Sequence, residues 1–155
     1  MAAIGIYFTA VSTTPAAAPA APVAAGICDT TAARAKVSTT FQNTISKTYV
    51  DVIETAIPFT QRRTGCVIIS FSSEVDLQPN DSMYVVATVD GFGCAPYNTV
   101  FAGVDNLVHL TNVRAMNFLC LNVGTGNHTA KMMFRSFLGN GVGLGKRTMI
   151  LHYAK

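Results

Sequence analysis

Charged residues are scarce in this chain of 155 residues. Asp, Glu, Lys and Arg make up only 12% of it, against about 25% in average soluble domains. The 11 Lys and Arg residues are scattered from Arg34 to Lys155 without forming a dense basic face, so the sequence predicts no nucleic-acid partner. Half of the residues are hydrophobic, which provides enough apolar surface for a core and excludes an intrinsically disordered chain.

Long apolar runs are absent too, and so is any basic residue before Arg34. No run reaches the roughly 18 residues of a transmembrane helix, so the sequence predicts no membrane span. Residues 1–25 nevertheless have two features of an export signal. Ala2–Val11 has the length of a signal-peptide hydrophobic region, and small residues suited to cleavage follow at Ala18–Ala20 and Val23–Ala25. Because the positive start is missing, two interpretations stay open: residues 1–25 end an export signal, or they form an extended, proline-broken apolar arm.

No two cysteines are close enough for a zinc knuckle or a thioredoxin-like pair. The chain has four, at Cys28, Cys66, Cys94 and Cys120. Their even number and the export-like start predict at least one disulfide and a secreted or cell-surface location. Three pairings are open at this point, and the alternative is four buried free thiols in a cytosolic protein.

Alternation of apolar and polar residues dominates the chain after Thr48. It is clearest in Gly65–Leu77 and Ser82–Asp90 and predicts half-buried β-strands there. Further strands are predicted at Tyr49–Phe59, Thr99–Ala102, Leu107–Thr111, Ala115–Val123, Thr129–Phe137 and Arg147–Tyr153. Thr30–Ser46 has weak helical periodicity, so the one helix we expect lies there. The prediction is an all-β antiparallel sandwich over residues 47–155, preceded by an Ala/Pro-rich N-terminal segment and a linker at residues 26–46.

Two segments near the end of the chain carry a family resemblance. The run Gly126–Arg135, a glycine-rich turn and Lys146–Tyr153 resemble the last two strands of small jelly-roll domains in secreted bacterial and phage-tail proteins. Those domains share the architecture of the tumour-necrosis-factor and complement globular-head folds. Over residues 45–155 the resemblance implies two antiparallel sheets and, often, trimers packed through one sheet. It implies no catalytic residue.

Sequence motifs for catalysis or cofactor binding are missing. The chain contains no Gly-x-Ser-x-Gly elbow. Gly139–Arg147 lacks the first glycine and the Ser or Thr of a phosphate loop, because Asn140 and Arg147 stand at those positions. The sequence therefore predicts no catalytic residue and no cofactor.

A metal site is not predicted either. His109, His128 and His152 have no ligand spacing. The acidic group Glu74, Asp76, Asn80 and Asp81 could offer oxygens to calcium, but it lacks a calcium-loop pattern and is predicted to be a solvated turn.

The sequence also has no tryptophan, the strongest platform for stacking sugars. Tyr84 and Tyr97 are the remaining ligand-binding candidates, although both could instead pack at the core or its rim. The favoured function is a non-enzymatic, secreted or surface structural protein that self-associates. The alternatives are a carbohydrate- or ligand-binding module and, less favoured, an enzyme with a dispersed site. Apolar residues on both faces of several strands predict a homo-oligomer, with a trimer favoured, and a glycan or cell-surface molecule is the other partner considered.

Overall fold

The computed structural model describes residues 28–103 and 110–155, and all regular structure in these ranges is β-strand. The strands, in chain order, are β1 (Ala32–Ser38), β2 (Gln42–Thr44), β3 (Val50–Asp51), β4 (Ile57–Gln61), β5 (Gly65–Leu77), β6 (Ser82–Val89), β7 (Phe92–Gly93), β8 (Thr99–Gly103), β9 (Leu110–Val123), β10 (Gly126–Ser136) and β11 (Val142–Tyr153). Within the described ranges no helix is long and apolar enough to cross a bilayer.

Two antiparallel sheets contain these strands. The first sheet has the order β1-β11-β5-β9, and β2 also pairs with β11. The second has the order β3-β10-β6-β7, with β4 also on β10 and β8 also on β6. The long strands β5, β6, β9, β10 and β11 alternate between the two sheets, and the first strand pairs with the last. This arrangement confirms the predicted antiparallel, jelly-roll-like sandwich.

The core lies between the two sheets, as the alternation predicted. In β5 every second side chain from Val67 to Leu77 is buried, and the intervening ones are only half-buried. The second sheet supplies Met132 and Phe134 from β10, which are fully buried. Inward-facing apolar side chains therefore stabilise the sandwich while the outer faces stay partly exposed.

The prediction of a helix within Thr30–Ser46 is wrong. This segment contains β1 and β2, and β1 pairs with β11 in an unbroken register from Ala32 opposite Tyr153 to Ser38 opposite Arg147. An exposed strand edge offers a full row of hydrogen bonds, and this tertiary pairing outweighs a weak local helical tendency. Strands of the first sheet thus lie inside the segment predicted as a linker.

Other strand boundaries differ from the prediction. Tyr49–Phe59 is divided into β3 and β4, and Glu54 between them has a positive φ of 60°. The strand expected at Leu107–Thr111 falls partly on residues 104–109, outside the described ranges, and β9 continues from Leu110 to Val123. The predicted signal or arm at residues 1–25 lies outside the described residues as well.

Two disulfides join the four cysteines, Cys28 with Cys66 and Cys94 with Cys120. The prediction of at least one disulfide is confirmed. The first ties the segment before β1 to the start of β5, and the second ties the loop after β7 to β9 in the other sheet.

Candidate functional site

The loop that follows β7 presents Tyr97, one of the two tyrosines singled out in the sequence. The disulfide between Cys94 and Cys120 fixes the start of the loop. Next to it, the Ala95 N–H donates to the Leu119 carbonyl at 2.9 Å, and the Leu119 N–H donates to the Ala95 carbonyl at 2.7 Å. These links attach the loop to β9 at adjacent positions, so the backbone that carries Tyr97 is well restrained.

The Tyr97 ring rests on Gly93. A Cβ atom added at Gly93 would lie 2.9 Å from Cδ1 and Cε1 of that ring, closer than such contacts occur. The glycine therefore allows the ring to lie close against the backbone of β7. The side of the ring away from Gly93 is open, since Tyr97 is 66% exposed.

A histidine–aspartate pair lies at the neighbouring turn. Asp90 and Gly91 have φ angles of 52° and 86°, which gives the tight turn between β6 and β7. Asp90 Oδ2 lies 2.7 Å from His128 Nδ1, and Asp90 Oδ1 accepts the Thr129 N–H at 2.8 Å. These hydrogen bonds lower the pKa of Asp90, with His128 the larger cause.

His128 is held from several sides. Its Nε2 lies 3.0 Å from the Gly124 carbonyl, and its ring is 5.3 Å from that of Phe59. Both ring nitrogens face oxygen atoms, so the ring has no nitrogen left over to activate a nucleophile. The pair therefore has a positioning geometry and not that of a general base.

A surface cavity of about 540 Å³ brings these groups together. Its lining includes Asp90, Phe92, Tyr97, His128 and Asn122, and Phe92 is 82% exposed. Its size falls within the range of small-ligand sites, about 300–1,000 Å³. Two exposed aromatic rings and an ionised carboxylate thus share one concave surface.

Tyr84, the other candidate, lies in a different group of side chains on the outer face of the second sheet. The Arg135 guanidinium carbon is 4.3 Å from the Tyr84 ring centroid and 5.5 Å from that of Tyr49. The Phe137 ring lies 5.5 Å from the Tyr84 ring. One face of Tyr84 is therefore covered by a cation–π contact, and the structure does not bring Tyr84 into the cavity with Tyr97.

The outer face of the first sheet has an unusual composition. The register places residues of β1, β11, β5 and β9 side by side in rows without Asp, Glu, Lys or Arg. We call this surface the open face, and its rows are Ala33–His152–Ile68–Leu119, Ala35–Ile150–Ser70–Asn117 and Val37–Thr148–Ser72–Ala115. None of these side chains is buried, and Val37 is 72% exposed. Charge returns only in the next row, where Lys146 lies 3.6 Å from Glu74.

The acidic turn considered for calcium has another role. Asp81 is only 1% exposed, and both of its oxygens accept hydrogen bonds from the loop between β10 and β11. It is a buried structural anchor, so the prediction of a solvated turn is wrong at Asp81. The sequence contains one signal for this role, which is the position of Asp81 at a turn. Asn and Asp at turns commonly accept backbone hydrogen bonds.

A buried arginine was missed altogether by the sequence reasoning. Arg147 is 3% exposed, and its Nη atoms donate to the carbonyls of Thr40, Leu144, Gly145 and Ile53. Its side chain lies on the inner face with those of Met149 and Leu151, and the register between β11 and β5 shifts between Leu144 and Arg147. Period-two alternation counted from Tyr153 back to Arg147 would have placed it on the inner face.

The other candidate ligands remain apart. His152 lies on the open face, and His109 lies outside the described residues. Among residues 28–103 and 110–155, no group of three or more His, Cys, Asp and Glu side chains has a geometry that could hold a metal ion.

Comparison of the chain with models of known protein families and with curated protein sequences gave no match.

Proposed function

We propose that this chain is a non-enzymatic, secreted or surface structural protein that self-associates through the open face of its first sheet. The observation that carries the proposal is the composition of that face. Across four strands it presents Ala, Ser, Thr, Val, Ile, Leu, Asn and one His, and no Asp, Glu, Lys or Arg. Depletion of charge is what distinguishes the centre of a protein interface from the remaining surface.

The open face is a sheet surface of uncharged side chains, which supports contact between copies of the chain. Sheet faces of this kind pack face to face at about 10 Å. Symmetric self-association covers the same patch on every copy. The resemblance to jelly-roll domains that form trimers through one sheet favours a trimer.

The size of the open face indicates that more of the chain contributes. Four strands at about 4.8 Å and five residues at about 3.3 Å give a flat area of roughly 300 Å². A standard interface uses about 800 Å² per partner. We therefore propose that the apolar segment before Cys28, which leads into edge strand β1, adds to the contact when it is retained. Export is supported by the two disulfides, which persist in oxidising compartments.

Light scattering coupled to size-exclusion chromatography tests the proposal at micromolar concentration. The wild-type chain should elute with a mass several times that of one chain, three times for a trimer. Ala115→Arg places a charge in the open face and should shift the protein to monomer, because an unpaired buried charge is strongly destabilising. Ala56→Arg is the matched control, since Ala56 is exposed in the turn before β4.

Two results would contradict the proposal. If the wild-type chain stays monomeric when it is concentrated, it does not self-associate, and the proposal is wrong. A multimer of the same mass in wild type and Ala115→Arg shows that copies associate elsewhere, and the open face is then not the interface.

A further inference from the structure

We propose that the cavity beside Tyr97 binds a neutral pyranose sugar of a glycan, with Tyr97 and Phe92 as its apolar platforms and Asp90 as its hydroxyl acceptor. This inference does not rest on self-association through the open face. The platforms, the acceptor and the charge balance each support it.

Tyr97 is a platform already held in place. One side of its ring lies against Gly93, and the loop that carries it is attached to β9 by a disulfide and by paired backbone hydrogen bonds. Its exposed side therefore needs no ordering when a ligand binds, and binding avoids that entropic cost. Phe92, which also lines the cavity, adds a second exposed ring. Sugar rings have an apolar C–H face that fits such surfaces.

The Asp90 carboxylate can accept further hydrogen bonds. A carboxylate offers about four lone-pair sites. One is used by His128 Nδ1 and one by the Thr129 N–H. About two remain, and the side chain is 43% exposed. A carboxylate that is oriented by fixed donors and keeps free lone pairs suits the vicinal hydroxyls of a sugar.

Charge balance favours a neutral ligand over a cation. Aromatic rings beside a carboxylate can also enclose a quaternary ammonium group. Here one oxygen of the carboxylate already lies 2.7 Å from His128 Nδ1 and the other accepts the Thr129 N–H at 2.8 Å. These contacts partly compensate the Asp90 charge within the protein, so the cavity offers acceptors and aromatic surface that suit a neutral ligand.

A glycan array probed with the full chain tests the inference, followed by saturation-transfer NMR with methyl glycosides of glucose, galactose, mannose and N-acetylglucosamine. Wild-type protein should transfer saturation to the ring C–H protons of at least one glycoside. Tyr97→Ala and Tyr97→Leu should each weaken binding about tenfold or more, because the aromatic face is lost. Tyr97→Phe keeps that face and should bind as wild type does.

A matched control separates this site from general aromatic exposure. Phe137→Ala removes a half-exposed ring from the Tyr84 group and should leave binding unchanged, while Asp90→Asn should weaken it. Asn tolerates the positive φ at this turn, so that variant keeps the fold. The inference is overturned by the absence of binding to the array and the glycosides, by binding that survives Tyr97→Leu, or by saturation transfer to choline in place of the sugars.

Discussion

Asp81 offers the sharpest test of what stabilises the fold, because its one buried carboxylate accepts most of its hydrogen bonds from the loop between β10 and β11. Its oxygens accept hydrogen bonds from Ser82 N (2.7 Å), Phe137 N (3.1 Å), Leu138 N (3.0 Å), Ser136 Oγ (2.5 Å), Asn140 N (2.9 Å) and Gly141 N (3.0 Å). The substitution Asp81→Asn keeps the size of the side chain and replaces one acceptor oxygen by an amide that donates. At least two backbone N–H groups then lose their acceptor.

The expected magnitude follows from that loss. A buried donor left without a partner costs about 1–3 kcal/mol. With two such groups affected, we expect Asp81→Asn to lower the free energy of unfolding by about 3 kcal/mol, which a domain of ordinary stability survives. Urea denaturation followed by circular dichroism measures the change. Asp51→Asn is the control, since Asp51 is exposed in an ion pair with Lys131 and should contribute less than about 1 kcal/mol.

The pH dependence gives the same prediction a second test. Burial by itself raises the pKa of Asp81, but hydrogen bonds from Ser136 and from backbone N–H groups outweigh it, and the folded-state pKa lies below its ordinary value. The ionised carboxylate therefore stabilises the fold fully above the unfolded pKa of about 3.9, and this stabilisation is lost as the pH falls through the lower folded pKa. The difference between wild type and Asp81→Asn should shrink with acidification. A loss below about 1 kcal/mol at pH 7, or a difference that stays constant down to pH 2, would refute the reasoning.

Three further changes test other links in the structure. Replacing Cys94 and Cys120 together by Ser opens a crosslink with a sequence separation of 26 and should cost about 3–4 kcal/mol in urea denaturation; a cost below about 1 kcal/mol would contradict this. Arg147→Lys removes most of the carbonyl contacts of a buried guanidinium and should cost about 2–4 kcal/mol, with faster hydrogen exchange in β2; unchanged exchange there would count against it. Gly93→Ala places a Cβ against the Tyr97 ring, so the ring-proton chemical shifts of that tyrosine should move while the melting temperature changes little; unchanged shifts would show that the ring does not rest on the glycine.

Local patterns predicted the strands whose two faces differ in environment. Gly65–Leu77 alternates along its length because one face meets the core and the other does not, and β5 has those bounds. Ser82–Asp90 was predicted from the same alternation, and β6 ends one residue earlier, at Val89. Sandwich architecture followed from the number and spacing of such strands, and the even cysteine count predicted a disulfide.

Features set by contacts between distant segments were not predictable in this way. The strand at Ala32–Ser38 depends on the edge of β11, more than a hundred residues later in the chain. Asp81 looked like part of a polar turn, because its partners at Ser136–Gly141 are brought to it only by the fold. The cavity at Tyr97 likewise depends on the Asp90 turn, the loop to Asn98 and the start of β10 meeting in space. Sequence reasoning named Tyr97 but could not assign it these neighbours.

The pairing of the first strand with the last has a consequence for folding on the ribosome. β11 lies in the middle of the first sheet, between β1 and β5, and also supports β2. β1 and β2 therefore have no edge to pair with until β11 has left the exit tunnel. Most contacts in this architecture join distant segments, which slows folding relative to helical proteins of similar size. During that interval β1 and β2 stay unpaired, and the first sheet is completed only when β11 becomes available.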